Sequence, residues 1–183
     1  MRCKIQAIDE PLLMLVDEND RVTGTAGKMD AHAKALLHRA VSVFIHNTKA
    51  DWLLQRRALD KYHSNGLWTN TCCSHPYPGE TSIDAARRRL YEEMGMNCDM
   101  REVFSFIYKE QVDNDLTEHE LDHVFIGLSD ELPVPDHREV MDWRFVSFPD
   151  LDNEIRKNPE NFTTWFRHIY YRVHECYMNL RDG

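Results

Sequence analysis

Residues 68–96, WTNTCCSHPYPGETSIDAARRRLYEEMGM, constrain this chain more than any other stretch, because thiols, an imidazole and carboxylates are set along a loop and the helix that follows it. Gly79-Glu80-Thr81-Ser82 interrupts whatever precedes it, and Thr81 with Asp84 three residues on makes a capping pair that opens a helix. Gly95 closes it. Ile83, Ala86, Leu90 and Met94 recur at helical spacing and predict the buried stripe, whereas Arg88, Arg89, Glu92 and Glu93 fall on the flanks. Arg89 and Glu93 are neighbours one turn apart.

The chain has 183 residues, a length that predicts a single domain over 1–183 with a sizeable core. Its formal charge of −9 argues against a nucleic-acid or anionic-membrane partner, since a polyanion calls for a basic face. Any phosphate ligand must then be held by a local basic cluster. Neither a signal peptide nor a membrane-spanning run is read, so a cytoplasmic protein is expected. Five cysteines, two of them adjacent (Cys72 and Cys73), make a poor disulfide framework and point to reduced thiols.

Along the chain, Leu12–Val16 reads as a strand and Asp17–Asp20 as its turn. Thr23-Gly24-Thr25-Ala26-Gly27-Lys28 reads as a flexible loop, in which Lys28 faces either phosphate or solvent. Arg39–His46 and Trp52–Arg57 alternate as strands, and Arg56, Arg57 and Lys61 make a basic cluster in an acidic protein. Val103–Glu110 and Thr117–Ile126 are further strands. In the second of these Glu118 and Glu120 share a face and His119 points away. A strand over 139–147, a short helix over 148–157 and a final helix with Phe162, Trp165, Phe166, Ile169, Tyr170, Val173, Cys176, Tyr177 and Leu180 at helical spacing complete the reading.

The central stretch resembles the Nudix box on Glu80, Arg88, Leu90, Glu92, Glu93, Gly95 and Met96. Ser74 stands where that box has Gly, and Arg89 stands where it has a metal-holding Glu, which argues against hydrolysis. Trp68-Thr69-Asn70-Thr71-Cys72-Cys73-Ser74-His75-Pro76 resembles the WTNxxCxHP signature of the type I isopentenyl-diphosphate isomerases, and further positions from Thr23 to Trp165 agree. The resemblance implies an α/β (α+β) Nudix-type fold, a mixed β-sheet core sandwiched by helices, and the conversion of isopentenyl diphosphate to dimethylallyl diphosphate.

By that resemblance Cys73 and Glu120 exchange protons with the substrate, Tyr108 tunes Glu120, and Trp165 offers its π face to a carbocation. Lys28, Arg57, Lys61 and Arg89 would contact the diphosphate. His32, His38, His75, Glu118 and Glu120 would hold Mn²⁺, or Mg²⁺ or Zn²⁺, and Glu93 a second Mg²⁺ carried in with the substrate. The interval from His32 to His38 is one residue shorter than in the bacterial pattern. Without the family, an isolated Cys is usually a small buried hydrophobe, a lone His a hydrogen-bonded or exposed ring, and a carboxylate pair surface charge. A Nudix hydrolase and an inactive Nudix binding module are the alternatives, and a monomer or weak dimer is expected.

Overall fold

The computed structural model describes residues 11–61, 63–112 and 115–182. Its strands are β1 (Leu12–Val16), β2 (Val22–Gly27), β3 (His38–His46), β4 (Trp52–Arg57), β5 (Trp68–Thr69), β6 (Cys72–Ser74), β7 (Met100–Gln111), β8 (Thr117–Leu128) and β9 (Val140–Val146). The helices are α1 (Lys28–Ala33), α2 (Ser82–Met94), α3 (Phe148–Lys157) and α4 (Thr164–Asp182).

The strands form one mixed sheet in which β3 is the hub. Along its whole length β3 pairs in parallel with β8, from His38 opposite Glu120 to His46 opposite Leu128. Its remaining pairing capacity is divided among β1 at His38, β6 at Val41–Val43 and β4 at Ile45–His46, all antiparallel. Beyond them β7 lies against β8, β9 against β4, and β2 against β1.

Strand alternation sends the two faces of this sheet to different helices. Phe44, Trp52, Leu54, Val124 and Ile126 pack against Leu151 and Ile155 of α3 and Phe166, Ile169 and Val173 of α4. Val43, Ile45, Leu53 and Phe125 pack instead on Ala85, Ala86, Leu90 and Met94 of α2. The sandwich of helices about a mixed sheet is thus the one expected. Both faces bury aliphatic and aromatic side chains nearly completely, which is where most of the stabilisation resides.

Helix α2 begins and ends as its sequence dictates. The Thr81 hydroxyl accepts from the Asp84 amide at 3.2 Å, and Gly95 adopts φ 65° at the C-cap. A β-carbon at Gly95 would lie 2.6 Å from the Val134 carbonyl, so this turn needs glycine twice over.

Four local expectations are corrected. Thr23–Gly27 is part of strand β2, because its backbone pairs with β1 from Leu12–Gly27 to Val16–Val22, and Lys28 starts a helix instead of riding on a loop. Glu93, read on the flank of the apolar stripe, is as buried as the stripe itself, because Gln55 and Arg89 satisfy both of its oxygens. Phe162 precedes α4, bridging to Trp68. Leu180 is exposed at the far end of that helix.

Candidate active site

The signature stretch owes its shape to buried polar side chains that stitch β3 to β4. The Thr71 hydroxyl donates to the Leu53 carbonyl at 2.7 Å and accepts from the Ile45 amide at 2.9 Å. The Asn70 amide donates to the carbonyls of Cys72 (2.7 Å) and Val43 (3.2 Å), while its oxygen accepts from Thr69 and from the Trp165 indole at 3.3 Å. These bonds satisfy groups that burial would otherwise leave unpaired, and they fix β6 so that Cys73 sits opposite Ser42 of β3. Trp165 is thereby tied to the strand that carries the thiol.

One cavity is lined by Cys73, Tyr108, Glu120 and Trp165 together with Lys28, Arg57, Lys61 and Arg89. All eight residues singled out for catalysis or diphosphate binding therefore meet in one place. The Tyr108 hydroxyl donates to Oε2 of Glu120 at 2.6 Å. Burial pushes the Cys73 thiol up to about 12, so it carries its proton at neutral pH. Burial also works to raise Glu120, yet its contacts with Glu118, His38 and Tyr108 hold it well below the usual carboxylate range.

The basic residues enter differently. Arg57 spends Nε and one Nη on the carbonyls of Ser64 and His63, each at 3.1 Å, and its guanidinium carbon lies 5.3 Å from the centre of the Trp165 ring. Arg89 grips Glu93 at 2.5 Å and Glu92 at 2.8 Å and stands 3.5 Å from Glu139, which also pairs with Lys61. Burial and the neighbouring charge of Lys61 lower the proton affinity of Lys28. Lys28 thus feels the like charges of Lys61 and Arg57, whereas Arg89 is offset by Glu93 and Glu139.

At the inner end, ligand atoms of His32, His38, His75, Glu118 and Glu120 all lie within 4.8 Å of one another. Nδ1 of His32 is 2.6 Å from the Lys28 carbonyl and Nδ1 of His38 is 2.8 Å from that of Leu36. A carbonyl can only accept, so each ring carries its hydrogen on Nδ1 and, when neutral, turns the Nε2 lone pair inward. Nε2 of His38 stands 3.2 Å from Nε2 of His75, which is itself 2.9 Å from Oε1 of Glu120. Burial, with the charges of His38 and Lys28, pushes His75 well below its usual proton affinity, which suits a neutral ligand. Burial opposes protonation of His32 as well, although Glu118 draws that ring upward. Lone pairs converging in this way repel unless a cation or proton lies between them, and three nitrogens with two carboxylates suit a divalent ion.

Glu93 stands apart from this cluster, held by Gln55 at 2.7 Å and by Arg89. The box residues Glu80 and Arg88 form a two-point ion pair at 2.8 and 2.9 Å that braces the turn before α2.

A NUDIX domain model matches residues 36–166. The chain is 49% identical over 167 residues, 91% of its own length and 88% of the relative's, to isopentenyl-diphosphate Delta-isomerase 2 of Aromatoleum aromaticum. It is 48% identical over 170 residues, 93% of this chain and 95% of the relative, to isopentenyl-diphosphate Delta-isomerase of Pectobacterium atrosepticum. The chain belongs to the isopentenyl-diphosphate Delta-isomerase family, within the Nudix superfamily. A crystal structure of a Deinococcus radiodurans protein matches the fold with a TM-score of 0.73 at 21% identity, covering 91% of this chain and 99% of that one. MutT protein of Methanosarcina mazei matches at 0.62 and 19% identity, covering 76% and 94%.

Against this family background, one buried residue of the cavity was missed in the sequence. His63 lines it, and its Nε2 is 2.7 Å from Oε1 of Glu118. A single histidine in a loop carries no local signal. Its position two residues after Lys61, in the segment that follows a basic pair, was the only available hint.

Proposed function

We propose that this protein isomerises isopentenyl diphosphate to dimethylallyl diphosphate. The observation that carries the reading is that Cys73 and the Tyr108–Glu120 pair share one cavity with Lys28, Arg57, Lys61 and Arg89, so proton-exchanging groups and a diphosphate handle are within one substrate's reach.

The reaction adds a proton to one carbon of the alkene and removes one from another, passing through a tertiary cation. Cys73 and Glu120 perform the two transfers, one delivering and the other removing, so the substrate's proton count is unchanged. Tyr108 donates to Oε2 of Glu120, fixing the rotamer and moderating its basicity. Trp165, 4% exposed, lends its π face to the cation and helps exclude the water that would otherwise capture it. Lys28, Arg57, Lys61 and Arg89 bind the diphosphate and set the hydrocarbon end between the two acid–base groups.

His32, His38, His75, Glu118 and Glu120 are assigned to a divalent ion, Mn²⁺ or Mg²⁺ before Zn²⁺, because the donor set exceeds the four ligands of a structural zinc site. Such an ion supplies positive charge that fixes the orientation and protonation of Glu120. Glu93 is assigned to Mg²⁺ associated with the diphosphate, in exchange for part of its pairing with Arg89. The reading extends to a monomer or weak dimer, folded as one domain in the cytoplasm, where the free thiols of Cys72, Cys73, Cys98 and Cys176 stay reduced.

Incubation with isopentenyl diphosphate and Mg²⁺ in D₂O tests the proposal. It should give dimethylallyl diphosphate bearing deuterium and no free phosphate, and Cys73→Ser should slow it severely by raising the side-chain pKa far above that of a thiol. Release of phosphate would favour the hydrolase alternative, against which the Arg89–Glu93 ion pair in the box already argues.

A further inference from the structure

His63 lies outside the five-residue cluster yet touches it. The ring is 3% exposed. Its Nε2 is 2.7 Å from Oε1 of Glu118, while Oε2 of the same carboxylate faces Nε2 of His32 at 3.5 Å. Nδ1 of His63 is 3.2 Å from the Ser64 hydroxyl, and the 2.7 Å approach of Nε2 to Oε1 of Glu118 is a close polar contact whose alignment falls short of a hydrogen bond. The ring also meets Trp165 edge-on, at 5.9 Å and 89°.

The backbone beneath this ring is held firmly. The loop after β4 is closed at its base by the Arg57 amide on the Leu67 carbonyl (2.9 Å) and the Gly66 amide on the Arg57 carbonyl (3.1 Å). Arg57 then reaches across it to the carbonyls of His63 and Ser64. His63 is thus positioned by the Arg57 hydrogen bonds to its own carbonyl and the next, and its ring is set against one oxygen of Glu118.

We propose that His63 is a positioning residue for Glu118: set 2.7 Å from Oε1, its ring limits rotation of the carboxylate and favours Oε2 as the oxygen that Glu118 presents to the ion. A carboxylate free to rotate would share itself between one- and two-oxygen binding, and the cluster would lose the preorganisation that sets its affinity. This assignment rests on the reading of the five-residue cluster as a metal site. Outer partners of metal ligands typically carry 10–100-fold in metal affinity.

Metal-stripped wild type, His63→Ala and His63→Gln are to be titrated with Mn²⁺ against a fluorescent chelator, and each stripped protein melted without metal. His63→Ala should bind Mn²⁺ about 10–100-fold more weakly while its metal-free melting temperature stays within about 2 °C of wild type. His63→Gln, which keeps an N–H donor at similar reach, should regain most of the affinity. Equal Mn²⁺ affinity in wild type and His63→Ala would overturn the proposal, as would a metal-free melting temperature that falls in step with the affinity, or no recovery by Gln. Failure of the wild type itself to bind Mn²⁺ would overturn the metal reading and this assignment together.

Discussion

The Tyr108 hydroxyl approaches Oε2 of Glu120 to 2.6 Å while Oε1 of the same carboxylate faces His75 at 2.9 Å, so the two oxygens of one side chain are given to different partners. The pairing follows from register, since Tyr108 and Glu120 are directly opposite across β7 and β8. A hydrogen bond to a charged group contributes about 1.5–3 kcal/mol. Tyr108→Phe should therefore lower kcat by roughly 10–100-fold with KM little changed, since no diphosphate contact is lost. Steady-state kinetics decide it, and an unchanged kcat would remove Tyr108 from the proton chemistry.

Trp165 separates a packing role from a cation role. Turnover should fall in the order Trp, Trp165→Phe, Trp165→Leu, with a loss of more than about tenfold for Leu if the cation–π contribution is about 2 kcal/mol when desolvated. The Phe variant forfeits the indole bond to Asn70, but that oxygen keeps its bond from Thr69 at 2.8 Å, so the fold should hold. Equal rates in all three folded proteins would leave Trp165 as core alone.

Nε2 of His75 stands 3.2 Å from Nε2 of His38 and 2.9 Å from Oε1 of Glu120. Protein purified without added metal should contain one divalent ion per chain by elemental analysis, and His75→Ala should contain far less. A metal-free wild type that remains fully active would refute the site.

His46 gives a pH prediction independent of catalysis. It is fully buried, stacked on Tyr177 at 3.9 Å, and neither ring nitrogen has a hydrogen-bond partner among the described residues. Burial, reinforced by His174, pushes it down to about 3 from the ordinary 6.5. The unfolded chain therefore takes up this proton first: the contribution to stability is complete above pH 6.5 and is lost as pH falls toward 3. By pH 4 the loss is about 3 kcal/mol. In His46→Phe, which suits the aromatic surroundings, the fall in urea stability between pH 7 and pH 4 should shrink by about that amount. An identical fall in both proteins would show that His46 does not titrate on unfolding.

Much of this was legible in the sequence where a local rule acts alone. Trp52–Arg57 and Phe148–Lys157 occur with the expected bounds, and Ser147, read as the end of the preceding strand, caps the helix by accepting from the Asp150 amide. The Glu118–Glu120 face followed from strand alternation alone. The rest depended on partners distant in the chain. Gly24 and Gly27 read as loop because glycine weakens a strand, yet pairing with β1 overrides that preference. The burial of Glu93 on the flank of the stripe was not legible, because no helical period can reveal Gln55 waiting on β4. His63 carries meaning only beside Glu118, which the sheet brings to it.

The parallel pairing of β3 with β8 has a consequence for the order in which the chain assembles. His38 and Glu120 are far apart in the sequence and become neighbours only when that pairing closes; Glu118 comes with β8, His32 from α1 and His75 from the residue after β6. Closing so long a loop is among the slow steps of folding. An ion has no site to recognise until this closure is complete, so its binding energy should deepen the native state without lowering the barrier to reach it. Refolding rates should then be the same with and without Mn²⁺, whereas unfolding should slow in its presence. The ion would act as a latch on a finished structure, setting the lifetime of the fold and leaving its formation to the hydrophobic faces of the sheet.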